Sequence, residues 1–294
     1  NKNIEDVAIS NNVLIETKIE IDNVDGATIS GNTITMETIT GTGFQILDSF
    51  NVNVSSNTIK TAGNGLLAVS VDSGGAGLTG NKKIDGNEFT GHDGTSNLIS
   101  VLALGTEAFG VVISNNRIQG GTTAANNITA IYNRADGTEI SGNNVDWSGI
   151  TAGSNILLSW DGTNATAGTI RNNYLKHAST ERCLVCTAGA NDMTIQGNHF
   201  VGQVDPRGDD QLISGNLIES GILYITGDGN SIVGNRVKGA GTTINCLAAS
   251  SNNFLDGNIT TDEIVDAGTN NNNTAGTLAI NTTLGAALDN YHGI

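Results

Sequence analysis

Apolar and polar residues alternate in short runs along almost the whole chain, and one six-residue pattern recurs among them. Its clearest copy is Ile29–Ile34, which reads apolar, small, Gly, Asn, any residue, apolar. Eleven copies align on the Asn, at Asn12, Asn32, Asn57, Asn87, Asn116, Asn143, Asn173, Asn198, Asn216, Asn235 and Asn258. Successive copies lie 18 to 30 residues apart. Spacing of this order indicates a stacked repeat architecture with loops of variable length.

Each copy is expected to hold a bend between two short strands. The Gly-Asn or Asn-Asn pair tolerates a positive φ and therefore favours a sharp turn. Another run with β character precedes most copies, such as Phe44–Leu47 and Ile128–Tyr132. The repeat region has no helical apolar period of useful length. We therefore expect each repeat to contain about three short strands and three turns.

A single coil of this kind cannot bury its inward side chains, but a stack of coils can. Neighbouring strands in such a stack lie about 4.8 Å apart. The Asn at each bend would then face the Asn of the next coil. Because a buried amide needs partners for its donors and its acceptor, the sequence predicts a ladder of hydrogen-bonded asparagines. The fold class predicted is all-β, a parallel solenoid of about eleven coils.

This pattern resembles the right-handed parallel β-helix of the pectin-lyase-like superfamily, and in particular the body of a phage tailspike or polysaccharide depolymerase. The repeats cover about residues 4 to 266. We expect a β-helix over 1–268, followed by a polar linker and tail over 269–294 that either caps the last coil or leads into a further domain. The chain has no initiator Met and no obvious capping helix. We therefore expect a fragment of a longer protein, or one capped by partner subunits.

Composition narrows the classes of partner. The chain has 13 Lys and Arg against 29 Asp and Glu, a formal net charge of −16. This balance disfavours nucleic acid and anionic membranes as partners, because both attract basic side chains. No signal peptide, lipidation motif or membrane-spanning run is visible. The four histidines are scattered without metal-ligand spacing, so we expect neither a metal nor a cofactor.

Three cysteines form no disulfide framework. Cys183 and Cys186 have the spacing of a Cys-x-x-Cys motif, but the chain has no second pair, and a redox or metal site also needs a helix-turn context. We therefore expect Cys183, Cys186 and Cys246 to be buried or half-buried strand residues.

In the enzymes that this chain resembles, the glycan lies over the sheet formed by the first strand of each coil. That strand is the run with β character that precedes each copy of the six-residue pattern. The longest loops fall between Asn57 and Asn173, and chemistry-bearing residues concentrate in coils five to nine. The resemblance therefore suggests catalytic candidates at Asp161, Asp205, Asp209, Glu181 and Arg182, and substrate-binding candidates at Tyr132, Arg134, Trp160, Arg207 and Tyr224.

Paired carboxylates are what glycoside hydrolysis requires. Asp161 and Asp205 fall two coils apart, about 10 Å by strand spacing and near the range for an inverting pair. Alternatively, Asp161 with Gly162 simply starts a turn. Glu181 and Arg182 fit sugar-acid binding or the base and neutralising cation of a β-elimination; alternatively they are a solvated loop pair.

Two further motifs leave alternatives open. The Gly208–Asp210 segment resembles the Asp-Asp motif of polygalacturonase-type enzymes, but the rest of that motif is missing, so those catalytic roles are not transferred. Tyr132, Trp160 and Tyr224 fit a platform for stacking sugars. Trp160 also falls on the same side of its predicted strand as Ile156 and Leu158, so a core position is as well supported as a place in the platform.

Two functions follow from different classes of protein. The first is a polysaccharide-binding and polysaccharide-cleaving β-helix of tailspike type, usually a trimer, at the virion surface or outside the cell. The sequence leaves open whether it is a hydrolase or a lyase. The alternative is a non-catalytic rod or adhesin segment, packed side by side through apolar outward positions such as Leu67, Leu102 and Leu157. An ice-binding face is disfavoured because no Thr-x-Thr array recurs in register.

Overall fold

The computed structural model describes most of the chain, and the statements below refer to that part. The described ranges are 4–36, 41–61, 66–73, 79–92, 98–103, 109–120, 129–150, 155–163, 165–177, 181–239, 242–273 and 278–279. Most of the residues in the three longest predicted loops, 73–77, 91–96 and 120–125, lie outside these ranges, as does 280–294 of the predicted tail.

The described residues form 35 short strands. The first four coils hold β1 (Ile4–Ser10), β2 (Val13–Ile15), β3 (Ile19–Asp22), β4 (Val24–Ser30), β5 (Thr33–Met36), β6 (Gly41–Leu47), β7 (Phe50–Ser55), β8 (Thr58–Thr61), β9 (Leu66–Ser73), β10 (Thr79–Asp85), β11 (Glu88–His92) and β12 (Ile99–Ala103). The next four hold β13 (Phe109–Ser114), β14 (Arg117–Gly120), β15 (Thr129–Asn133), β16 (Thr138–Ser141), β17 (Asn144–Asp146), β18 (Ile156–Trp160), β19 (Gly168–Arg171), β20 (Tyr174–Lys176), β21 (Arg182–Cys186), β22 (Met193–Gln196), β23 (His199–Val201) and β24 (Gln203–Pro206). The last coils hold β25 (Leu212–Ser214), β26 (Leu217–Glu219), β27 (Leu223–Ile225), β28 (Ser231–Val233), β29 (Arg236–Lys238), β30 (Thr242–Cys246), β31 (Phe254–Asp256), β32 (Ile259–Thr260), β33 (Glu263–Asp266), β34 (Asn272–Asn273) and β35 (Leu278–Ala279).

Every third strand joins the same sheet, so the chain winds as a parallel β-helix. Sheet A runs from β1 to β34 and sheet B from β2 to β35, each with twelve strands, and sheet C runs from β3 to β33 with eleven. Each strand pairs in parallel with the corresponding strand of the next coil. The described residues contain no helix, and their strands stack in three parallel sheets, so the predicted all-β solenoid with a right-handed parallel β-helix fold is confirmed.

The two apolar positions of the repeat form the core. The first position lies in register along sheet A from Ile9 to Leu255. The second lies in register along sheet B from Leu14 to Thr260. Most of these side chains are completely buried. The alternation of apolar and polar positions thus sets the register, since a slip of one residue would expose the core row.

The predicted asparagine ladder runs without a break through all eleven copies. From Asn12 to Asn258, the backbone N–H and the side-chain Nδ2 of each Asn both donate to Oδ1 of the next, at 2.9–3.0 Å. Nδ2 also donates to an apolar residue's carbonyl in the preceding coil, as from Asn143 to Ile113 at 2.8 Å. The ladder satisfies amides that burial would otherwise penalise.

The residue before each ladder Asn adopts the left-handed conformation that the sequence predicts. Its φ lies between 54° and 65° in all eleven copies, and glycine occupies seven of these positions. Asn, which tolerates this region better than most residues, or Ser occupies the others. The bend between sheets A and B therefore repeats with nearly the same geometry.

A second, shorter ladder was not predicted. It lies in the turns between sheets C and A, where the backbone N–H of Gln211, Asn230 and Asn253 donates in turn to Oδ1 of Asn230, Asn253 and Asn271, at 2.8, 2.8 and 3.0 Å. Stacking also continues past residue 268, because β34 pairs with β31 and β35 with β32. The β-helix therefore extends into the segment expected to be a linker.

The described part of the chain contains no helix of the length and apolar character needed to cross a bilayer. Leu157, expected to point outward in the rod hypothesis, is fully buried. It is therefore not available for a side-by-side contact, and the side chains of Leu67 and Leu102 lie outside those that the structure describes.

Candidate functional site

The outward face of sheet C carries two clusters of polar side chains in coils five to ten. One outward row runs in register through Tyr132, Ser159, Val185 and Asp205. Since Val204 pairs with Leu223, the row continues through Tyr224, which pairs with Asn245. Neighbours in the row are therefore about 4.8 Å apart.

The first cluster is centred on Asp161, which follows β18. Tyr132 donates its hydroxyl to Asp161 Oδ2 at 2.8 Å, and Arg134 Nε lies 3.3 Å from the same oxygen. Thr163 donates its backbone N–H and its hydroxyl to Oδ1, at 3.0 and 2.7 Å. Both carboxylate oxygens are thus occupied by protein groups.

These contacts set the protonation states in the first cluster. Burial alone would raise the pKa of Asp161, but hydrogen bonds from Thr163 and Tyr132 and the charge of Arg134 hold it below its usual value. Burial, together with the hydrogen bond to Asp161 and its charge, raises the pKa of Tyr132 to about 12. Asp161 is therefore an ionised acceptor and Tyr132 a protonated donor near neutral pH.

The second cluster is centred on Asp205 in β24. Arg207 donates from Nε and Nη2 to Asp205 Oδ2, at 2.9 and 2.6 Å, and Arg182 Nε lies 4.0 Å from that oxygen. Asp205 is only 6% exposed, although it belongs to an outward row. A carboxylate so far removed from water needs this charge compensation.

Several polar atoms of the second cluster have no hydrogen-bond partner in the described part of the protein. Within the described ranges, no hydrogen bond reaches Asp205 Oδ1, the guanidinium of Arg182, the hydroxyl of Tyr224 or the side-chain amide of Asn245. Tyr224 and Asn245 are half-buried, and the Arg182 side chain is 47% exposed. Each of these groups can therefore form a hydrogen bond with a ligand.

The register also changes the predicted pairing of carboxylates. Trp160 is in register with Cys186 and Pro206 on the next two strands. Asp161 follows Trp160, whereas Asp205 precedes Pro206. The two aspartates are therefore two strands apart and offset by two residues along the strand direction. The two Cα atoms are then roughly 12 Å apart, from strand spacing and rise per residue. The sequence had placed the two residues level, about 10 Å apart.

Several predicted residues lie away from these clusters. Trp160 is fully buried and donates its indole N–H to the Ala165 carbonyl at 2.7 Å. Its ring belongs to the core and offers no face to a sugar, which corrects its assignment to the stacking platform. Asp209 lies in the turn after β24, and its Oδ1 accepts the backbone N–H of Asp228 at 2.8 Å. This carboxylate therefore joins two turns of the stack.

Glu181 immediately precedes Arg182 and is half-buried. Its backbone carbonyl accepts a hydrogen bond from the backbone N–H of Gln203 at 2.9 Å, which fixes the start of β21 against β24. All three cysteines are buried and free, as expected. No group of three or more His, Cys, Asp or Glu side chains within the described ranges is placed to bind a metal.

Sequence reasoning missed two residues of this face. Asn245 shares the row of Tyr224, and the signal was available, because Ile244-Asn245-Cys246 matches Leu223-Tyr224-Ile225 in its apolar-polar-apolar pattern. Thr163 donates two hydrogen bonds to Asp161, as Thr often does two residues after an Asp in a turn.

The fold and this face together define a parallel β-helix with a polar site on one sheet. No family model matches the chain, and no curated protein matches it either. Among solved structures, the chain matches a tailspike protein mutant of E. coli bacteriophage HK620 in complex with a pentasaccharide, at 11% identity and a TM-score of 0.40. The match covers 94% of this chain and 62% of the tailspike chain, so this chain spans less than two thirds of the tailspike's length. The assignment of a parallel β-helix is based on the three parallel sheets described above, and these sheets are compatible with the pectin-lyase-like superfamily.

Proposed function

We propose that this protein binds a polysaccharide along the outward face of sheet C, with the centre of the site at Arg182, Asp205, Tyr224 and Asn245. The observation that carries the proposal is the row of unpaired polar atoms in register from coil eight to coil ten. Such a row offers a hydrogen-bonding group at each step of about 4.8 Å, close to the length of one sugar unit.

The chemistry of the row suits sugar hydroxyls. Asp205 Oδ1 accepts, Arg182 donates, and Tyr224 and Asn245 do both. The Tyr224 ring adds an apolar surface next to its hydroxyl, the combination that binds one face of a pyranose. Because the side chains stand on strands rather than on loops, little ordering is needed on binding.

The test is binding to a panel of bacterial and algal polysaccharides, with two arginine variants of the folded protein. Arg182→Gln removes a guanidinium from the site, and we expect it to weaken binding about tenfold, as the loss of one charged hydrogen bond does. The matched control is Arg171→Gln, on sheet A, since the two arginine side chains are 47% and 48% exposed. Equal affinities of the two variants would contradict the proposed site.

Cleavage is a second candidate activity, and the geometry supports it less than binding. A general acid needs a raised pKa, whereas the pKa of Asp161 is lowered and both its oxygens are occupied. At Asp205, Oδ2 already accepts two hydrogen bonds from Arg207, which leaves only Oδ1 to contact a substrate. Product analysis by reducing ends and ultraviolet absorbance tests hydrolysis and elimination together.

The proposal includes a tailspike-like trimer located at the virion surface or outside the cell, as the sequence resemblance implies. A trimer can supply a further carboxylate to this face from a neighbouring subunit. Sedimentation equilibrium tests the assembly, and a monomer at concentrations that saturate the glycan would remove it from the proposal. The alternative of a non-catalytic rod predicts no glycan binding in the same panel.

A further inference from the structure

The site on sheet C has nearly balanced charge, and this bears on the kind of glycan that it takes. Arg134 lies beside Asp161, and Arg207 and Arg182 lie beside Asp205. Glu181 adds a further carboxylate next to Arg182. Three arginines and three carboxylates thus lie on or next to this face, and their formal charges balance.

The unpaired atoms include an acceptor that an anionic ligand cannot use. Asp205 Oδ1 carries negative charge and has no described partner, and Asp205 is 6% exposed. A ligand carboxylate brought to this position would place two acceptors against each other in a site with little water. A sugar hydroxyl, by contrast, donates to Asp205 Oδ1 while its oxygen accepts from Arg182.

The field of the whole molecule acts in the same direction. The chain carries a net charge of −16, with only 13 basic residues. A polyanion approaching this surface at low salt is repelled over a distance of about one Debye length. A neutral chain meets no such barrier.

From these observations we infer that the ligand is a neutral polysaccharide, and that Asp205 determines this selectivity by accepting a hydrogen bond from a sugar hydroxyl. The inference rests on the proposed function, and it narrows the chemistry of that site. Elimination requires a sugar acid, whose carboxylate activates the adjacent C–H bond. On a neutral glycan, any cleavage at this site is therefore hydrolysis.

The experiment compares neutral and carboxylate-bearing polysaccharides at low and high ionic strength, with the folded state checked by circular dichroism. We expect binding to neutral polysaccharides, with an affinity that changes less than about twofold between the two salt concentrations. Binding confined to carboxylate-bearing polysaccharides and lost at high salt would overturn the inference and leave the proposed function standing. A folded protein that binds no member of the panel would overturn both.

Two variants test the role of the row itself. Asp205→Asn replaces the acceptor with an amide and should weaken binding of the neutral glycan about tenfold to hundredfold, while improving binding of its carboxylate-bearing counterpart. Tyr224→Phe removes one hydroxyl without disturbing the ion pair of Asp205, so it remains informative where Asp205→Asn does not fold. Its matched control is Tyr174→Phe, a half-buried tyrosine on sheet B. Tyr224→Phe should weaken binding several-fold, and an affinity equal to that of Tyr174→Phe would count against the row as the site.

Discussion

Replacement of an asparagine at the centre of the ladder should lower the free energy of unfolding more than replacement of a neighbouring surface residue. Asn143 lies in the middle of the ladder, 1% exposed, and its Oδ1 accepts from both the backbone N–H and Nδ2 of Asn116. Its Nδ2 donates to the Ile113 carbonyl and to Oδ1 of Asn173. Replacement by Ala removes all four of these bonds.

The magnitude follows from the groups that the replacement leaves behind. Asn143→Ala leaves two donors of Asn116 and the Ile113 carbonyl buried without their partners. Each unsatisfied buried group costs about 1–3 kcal/mol, and partial relaxation reduces the sum. We expect Asn143→Ala to lower the free energy of unfolding by about 3–5 kcal/mol.

The neighbouring residue supplies the control. Asn144 is exposed at the start of β17, and Asn144→Ala should change the free energy of unfolding by less than about 0.5 kcal/mol. Asn12, at the first rung, accepts no ladder bond and is exposed, so Asn12→Ala should cost less than about 1 kcal/mol. Urea denaturation followed by circular dichroism measures all three variants.

A difference between Asn143→Ala and Asn144→Ala below about 1 kcal/mol would refute the reasoning, because it would mean that the freed groups find new partners at little cost. Loss of a single transition in Asn143→Ala would indicate that the stack separates into two unfolding units, as arrays of nearest-neighbour repeats can. In that case the unfolding free energy of each unit must be measured separately, by hydrogen exchange at the ladder amides.

Three further outcomes can be measured. Asp161→Asn removes the charge that helps to raise the pKa of Tyr132 to about 12, so the last phase of an alkaline absorbance titration should move to lower pH; an unchanged curve would contradict the contact between the two residues. Burial lowers the pKa of His177 to about 4, so between pH 6.5 and pH 4 the unfolded state takes up a proton that the folded state does not, and stability falls as pH falls. His177→Gln should flatten that part of a plot of melting temperature against pH, and equal slopes for the two proteins would be the contrary result. Burial raises the pKa of the thiols, so a thiol reagent should label none of them in the native protein and all of them after denaturation; labelling of the native protein would contradict their burial and show that the stack opens at the labelled residue. These thiols are Cys183, Cys186 and Cys246.

The fold could be predicted from the sequence because its determinants are local. Apolar positions such as Ile29 and Ile34 flank a turn within six residues, and the turn repeats in every copy with Asn preceded by Gly, Asn or Ser. The second ladder was missed although Gln211, Asn230 and Asn253 each lie two residues before the first apolar position of a copy, because earlier copies hold other residue types there. Their stacking becomes apparent only when the coils are in register.

The candidate site was predicted only in outline, because its contacts join different coils. The sequence placed Asp161, Asp205 and Tyr132 on one face, but it could not show that Tyr132 occupies an oxygen of Asp161 from the preceding coil. Parity left the orientation of Trp160 open, and the carbonyl of Ala165 that pairs with its indole N–H lies in the turn that follows its strand. Which polar atoms remain unpaired is a property of the assembled sheet, and no local pattern encodes it.

The ladder also makes the length of this molecule an adjustable quantity. Every inner rung donates to the next coil and accepts from the previous one, so each inner coil bonds to its two neighbours in the same way. A whole coil can therefore be inserted or removed between two rungs without changing how its neighbours bond, provided that it carries the Asn and its two flanking apolar residues. Spans of 18 and of 30 residues between rungs already coexist in this chain. The length of the outward face of sheet C can thus be set by duplication of coils, independently of the side chains displayed on it.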